Sequence, residues 1–204
     1  DIEFFSQIMS EYGNEIAGVI VEPLQRIIPP IKGFLQHLRN ETSKYGSLLI
    51  FDEIVTGFRL AYGGAQELYG VTPDICTLGK IIGGGLPLAA IAGKTDIMNH
   101  FDINVVGAEK FTFQVGTLSG NPLASVAGLK TMEILRRERS YERIRHNGLT
   151  IMKSLSKHLD KNDIDFQIVG DPTLFDVLFT DQNVLNYRDT KRNNPNMAKE
   201  FNKI

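Results

Sequence analysis

The 204-residue chain is poor in most features that would assign it to a specialised class. Cys76 is its only cysteine, so no disulfide can form within the chain, and a reducing cytoplasm is the expected setting. No apolar run approaches the roughly 20 residues that a membrane helix needs, and no signal peptide opens the chain. Neither sign of charge dominates: 22 Lys and Arg against 24 Asp and Glu leave a net charge of −2. That balance gives no footprint for nucleic acid or an anionic membrane. The four histidines (His37, His100, His146 and His158) lack metal-ligand spacing and have only Cys76 as a possible partner, which argues against zinc. There is no internal repeat and no low-complexity tract. What is present is an ordinary globular composition, 42% hydrophobic and 23% charged, enough to bury a core. Residue 1 is an aspartate, and residues 1–13 read as an amphipathic helix already under way. A fragment of a longer protein is the expectation.

Hydrophobic patterning predicts an α/β fold. Residues 16–21 (IAGVIV) form a β-branched run with the look of a buried strand. A loop rich in Pro and Ile follows, then helical periodicity over 32–45 through Phe34, Leu35 and Leu38, closed by Gly46 as a C-cap. Residues 48–51 (LLIF) make a second buried strand ending at Asp52-Glu53. Strand, helix, strand at this spacing is a βαβ unit and implies a parallel sheet. Residues 66–69 suggest a short helix, with further strands at 74–78 (DICTL) and 88–92 (LAAIA). A long helix is expected over 121–137, its inner face formed by Leu123, Val126, Ala127, Leu129, Lys130 and Ile134. A second helix over 141–159 precedes strand-like runs at 165–169 and 174–180. The change in pattern near residue 140 suggests a large domain over 1–139 and a smaller α+β domain over 140–204, both incomplete.

In open α/β sheets, functional groups gather at the carboxyl ends of strands. Glu22, Asp52 and Lys80 each stand at such an end. A carboxylate and an amine there suit pyridoxal phosphate (PLP) chemistry. The amine condenses with the cofactor aldehyde, and the carboxylate keeps the pyridine nitrogen protonated so that the ring can accept electrons. Taken singly, Asp52 is more simply a turn cap and Lys80 a solvated lysine. Their surroundings favour the first reading. Lys80 precedes a Gly83-Gly84-Gly85 run that admits close backbone approach to a ligand. Residues 116–122 (GTLSGNP) offer hydroxyls and backbone N–H groups just before a helix, where a phosphate would be favoured.

FDEIVTGFR, TLGKIIGGGLPLAA and GTLSGNPLA, in this order and spacing, resemble the class III PLP-dependent aminotransferases of fold type I. The likeness runs from VEP at 21–23 through the helix after Asn121 and fades over the last sixty residues or so. The resemblance implies PLP as cofactor, Asp52 on the pyridinium nitrogen and Lys80 in the Schiff base. It also implies Ile54 packed on one ring face, and Thr117 bonding the phosphate of a neighbouring subunit, hence a homodimer with shared sites. Glu22, in the family's Glu-Pro element, takes a supporting role. Val55 stands where many transaminases of ω-amines carry Gln. With Gly57-Phe58-Arg59 after it and Ile28-Pro29-Pro30 upstream, it resembles the family's aminomutase branch. Residues 104–113 depart from the family pattern, which leaves substrate preference open. The family's phosphate turn and second ring-stacking residue have no counterpart upstream of the first strand.

The expected function is therefore PLP-dependent amino-group transfer on an amino-acid-derived compound, of aminomutase type. One alternative is an aminotransferase with an external amino donor and a 2-keto acid. Another is a non-catalytic fragment without a complete cofactor pocket. LLIFDE also resembles a Walker B strand, but no G-x-x-x-x-G-K-[ST] precedes it. Residues 83–87 (GGGLP) would break the helix that a dinucleotide fingerprint requires. The arginines at 136–145 alternate with Glu133, Glu138 and Glu142, which marks a solvated, salt-bridged face.

Overall fold

The computed structural model describes residues 1–25 and 27–203. It divides into two compact units, one formed by Asp1–Pro23 with Lys32–Arg137, the other by Leu24–Ile31 with Glu138–Ile204. The sequence suggests an uninterrupted first segment, whereas Leu24–Ile31 leaves it for the second unit. Ile28 explains the excursion, because it is buried with Leu178 and Val184.

The first unit opens with α1 (Ile2–Tyr12), capped by the Asp1 carboxylate on the Phe4 amide at 3.0 Å. Strand β1 (Gly18–Val21), helix α2 (Phe34–Tyr45) and strand β2 (Leu48–Glu53) form the expected βαβ unit. Gly46 ends α2 in the left-handed region at φ 75°, which only glycine adopts freely. After α3 (Gly64–Tyr69) come β3 (Ile75–Leu78), a 3-10 turn over Lys80–Gly83, and β4 (Ala90–Gly93). The sheet order is β1-β2-β3-β4, with the first three strands parallel and β4 antiparallel to β3.

Alternation splits the sheet into two faces. One carries Leu49, Phe51 and Cys76, which pack with Leu35 and Leu38 of α2 and Val71. The other carries Ile50, Asp52, Ile75 and Thr77, all half-buried. β1 corrects an expectation: it is an edge strand, and Ile20 is 65% exposed. A continuous apolar run shows only that both faces are apolar, not that both are covered.

Short helices α4 (Thr95–Met98) and α5 (Ile103–Val106) come after β4, and α5 runs into the start of residues 104–113, where the sequence departs from the family pattern. Helix α6 (Pro122–Leu135) follows, with Asn121 accepting from the Ala124 amide at 3.1 Å. Of the residues expected on its inner face, only Ala127 is not exposed. Leu123, Val126 and Leu129 are 74%, 66% and 66% exposed, and the buried residues are Ala124 and Gly128. This side packs on the turn that begins at Lys80. A Cβ at Gly128 would collide with the Ile82 carbonyl, and one at Gly84 would lie 2.6 Å from the Ala127 carbonyl. Small residues win the inner face because the approach is backbone to backbone.

In the second unit, α7 (Ser140–Lys161) precedes the antiparallel hairpin of β5 (Gln167–Asp171) and β6 (Leu174–Leu178). The expected turn at Gly170-Asp171-Pro172 shrinks to Pro172-Thr173, since Gly170 and Asp171 stay paired with Phe175 and Leu174. Leu159, Val177 and Phe179 form its core with Phe166, Met197 and Phe201, the last two from α8 (Pro195–Phe201).

Candidate active site

Because β1, β2 and β3 are parallel, their carboxyl ends share one edge of the sheet. Glu22 follows β1, Asp52 is the penultimate residue of β2, and Lys80 lies two residues beyond β3. Asp52 stands opposite Thr77 in register. Its Oδ1 accepts from the Ile54 amide at 3.1 Å and from the Thr77 hydroxyl at 3.2 Å. Among the described residues Oδ2 has no partner, and none of their buried side-chain oxygens lacks one, so Oδ2 reaches the surface. One oxygen of Asp52 is held and the other is open.

Ile54 lies exposed over the end of β3. Its Cγ2 sits 3.2 Å from where a Cβ on Gly79 would stand. Lys80 is the next residue and is itself exposed, with no ion pair among the described residues. Its backbone sits at φ 46°, in the left-handed region that side chains other than glycine's rarely enter. Strain of this kind recurs at functional positions. Asp52, Ile54, Thr77, Gly79 and Lys80 thus form one cluster across two adjacent strand ends.

Glu53, the neighbour of Asp52, points to the opposite face and has a different task. It is fully buried, and its carboxylate accepts from Thr56 Oγ1 at 2.9 Å, the Ala65 amide at 2.6 Å and Gln66 Nε2 at 2.9 Å. It anchors the start of α3. A cavity of about 200 Å³ lined by Glu53, Phe58, Tyr62 and Leu78 lies on that side, away from Asp52. Glu22 is half-buried, and Thr117 is exposed with no side-chain hydrogen bond among the described residues. Among the described residues no hydrogen bond joins Thr117 to the strand-end cluster. Thr117 lies five residues before α6, whose other end of contact is the Lys80 turn.

Comparison with known proteins gives this arrangement a family. The family described as aminotransferase class-III matches residues 2–196. This chain belongs to that family. Among class III relatives, glutamate-1-semialdehyde 2,1-aminomutase of Natranaerobius thermophilus is 43% identical over 98% of this chain. The enzyme of the same name from Aquifex aeolicus is 41% identical over 98%. The chain spans about half the length of these curated relatives, 46% and 47%. An omega-transaminase from Sphaerobacter thermophilus superposes with a TM-score of 0.86 at 33% identity, over 93% of this chain and 43% of its own.

At these strand ends, sequence reasoning missed the Thr77 hydroxyl that reaches Asp52. The signal was available: a hydroxyl three residues before Lys80, on the strand adjacent to Asp52. Only the register places it beside Asp52 rather than one residue away on the opposite face. Gly128 was missed for a similar reason, since a glycine inside a helix becomes informative only once its neighbour is known.

Proposed function

We propose that this chain carries the lysine-bearing part of a PLP-dependent enzyme that moves an amino group between adjacent carbons of glutamate-1-semialdehyde. The observation that carries this reading is the strand-end pair. Among the described residues, Asp52 has one carboxylate oxygen held and one open, and Lys80, just beyond the next strand, is exposed and has no ion pair. PLP, when bound, supplies an aldehyde for amines and a ring that draws electrons from the attached carbon. Asp52 Oδ2 holds a proton on the ring nitrogen. Lys80 Nζ would hold the cofactor aldehyde and, once released as a free amine, would take a proton from, or return one to, the substrate carbon that bears the amino group. Ile54 covers one ring face. Glu22 supports the same strand edge.

Thr117 completes the phosphate site of a second copy of the chain. The exposed Phe113, Val115, Leu118, Leu123, Val126 and Leu129 support a homodimer, because apolar surface of this extent is normally covered. We assign the first unit to a large cofactor-binding domain and the second to a smaller C-terminal domain. No helix among the described residues is long and apolar enough to cross a membrane. The single free, buried Cys76 supports a cytoplasmic location.

The names of the two relatives described above support an aminomutase, which needs no second substrate. The omega-transaminase superposition favours a second reading, an aminotransferase recharged by a separate amine. Incubation with PLP, borohydride reduction and peptide mapping test the shared core: the label falls on Lys80 and is lost in Lys80→Ala. A label elsewhere overturns the assignment, and no label supports a non-catalytic chain. The whole protein, with any flanking segments, then converts glutamate-1-semialdehyde to 5-aminolevulinate without added 2-keto acid. Turnover only with a 2-keto acid or a second amine gives the transaminase reading.

A further inference from the structure

We propose that Thr77 is a positioning residue for Asp52, a role that rests on the cofactor reading above. The two strands face each other in register at Asp52 and Thr77. Asp52 is half-buried, so its side chain is not fixed by packing alone. Two donors reach it, the Ile54 amide at 3.1 Å and the Thr77 hydroxyl at 3.2 Å, and both reach Oδ1. The amide bond is local, two residues along the chain, and a carboxylate can keep such a bond while turning about its own axis. The Thr77 bond comes from the next strand, 25 residues away in sequence, and so ties the carboxylate to the sheet.

The pair of donors therefore fixes which oxygen is engaged. Oδ1 is committed and Oδ2 is left open at the strand-end edge, on the face of the sheet that Asp52 shares with Thr77 and two residues before Ile54. A cationic N–H donor arriving there meets an oriented acceptor, which saves the cost of ordering it. Thr77 itself touches no reacting atom. It acts through Asp52.

Thr77→Val keeps the shape and removes the hydroxyl, whereas Thr77→Ser keeps the hydroxyl. In the cofactor-free chain, the ¹³C carboxyl resonance of Asp52, identified by its loss in Asp52→Asn, moves or broadens in Thr77→Val and returns in Thr77→Ser. With PLP added, the pH dependence of the visible band changes in Thr77→Val while borohydride still labels Lys80. Turnover in the whole protein falls about five- to tenfold, the factor corresponding to one ordinary hydrogen bond. An unmoved Asp52 resonance in Thr77→Val overturns the proposal, as does a Thr77→Ser protein that behaves like Thr77→Val. If the unmutated chain places no label on Lys80, the cofactor reading fails instead, and the carboxyl resonance still decides whether Thr77 holds Asp52.

Discussion

The backbone carbonyl of Ile82 rests against the α-carbon of Gly128, filling the space where a side chain at 128 would begin. This contact sets α6 on the turn that carries Lys80. Two effects compete in Gly128→Ala. Alanine favours a helix interior by about 1 kcal/mol over glycine. The new methyl meets backbone, which cannot move aside by changing rotamer, and overpacking costs about 1–3 kcal/mol. The clash wins, so Gly128→Ala lowers the urea midpoint. An equal or higher midpoint would show that the helix stands further away.

Glu53→Gln separates the structural carboxylate from its neighbour. The buried Glu53 accepts hydrogen bonds at both oxygens. An amide there turns one acceptor into a donor facing other donors, and each buried group left unsatisfied costs about 1–3 kcal/mol. Glu53→Gln unfolds at lower urea, yet PLP still labels Lys80, because Glu53 faces away from the strand-end cluster. Loss of the label in a folded Glu53→Gln protein would move Glu53 into the site.

How much of this was readable beforehand follows from what pattern can encode. The βαβ order, the Gly46 cap and the strand-end positions of Asp52 and Lys80 are local or nearly so, and residue periodicity reveals them. The face of α6 was misread because hydrophobicity identified Leu123, Val126 and Leu129, while packing required Ala124 and Gly128. Ile20 was misjudged because a strand's neighbours, not its own residues, decide its exposure. The left-handed backbone of Lys80 leaves no mark in the sequence at all.

Asp74 makes stability depend on acid pH. Burial alone would raise its pKa, but Lys94 at 2.6 Å, the Leu49 amide at 2.7 Å and Arg39 at 2.8 Å together pull it below the ordinary aspartate value. A carboxyl with a lowered folded-state pKa contributes stability above its unfolded pKa, roughly pH 4, and loses it as pH falls through the folded value. Asp74→Asn therefore lowers stability at neutral pH and flattens the decline below about pH 4. Urea unfolding across the pH range checks this, and parallel acid limbs for both proteins would remove Asp74 from the account.

Thr117 is tested by mixing subunits. Losing one hydrogen bond to a charged phosphate weakens cofactor binding by about 1.5–3 kcal/mol. Lys80→Ala and Thr117→Val subunits are each defective alone. If Thr117 serves the partner's site, a heterodimer contains one site that combines an intact lysine with an intact threonine, and activity partly returns. A verified heterodimer without recovery places the site within one chain.

Lys80 offers a separation of strain from chemistry. Its φ of 46° costs an L-residue roughly 1–2 kcal/mol relative to a right-handed conformation, and glycine is free of that cost. Both Lys80→Ala and Lys80→Gly remove the amine, so neither takes the borohydride label. Only Lys80→Gly relieves the backbone, although glycine returns about 0.5–1 kcal/mol of this through its greater freedom when unfolded. Lys80→Gly is therefore at least as stable as Lys80→Ala, and the gap measures the strain less this glycine cost, without any contribution from the lost amine. A Lys80→Ala protein more stable than Lys80→Gly by the full glycine cost of about 0.5–1 kcal/mol would mean that position 80 is unstrained in solution. The lysine would then hold its place at no cost to the fold.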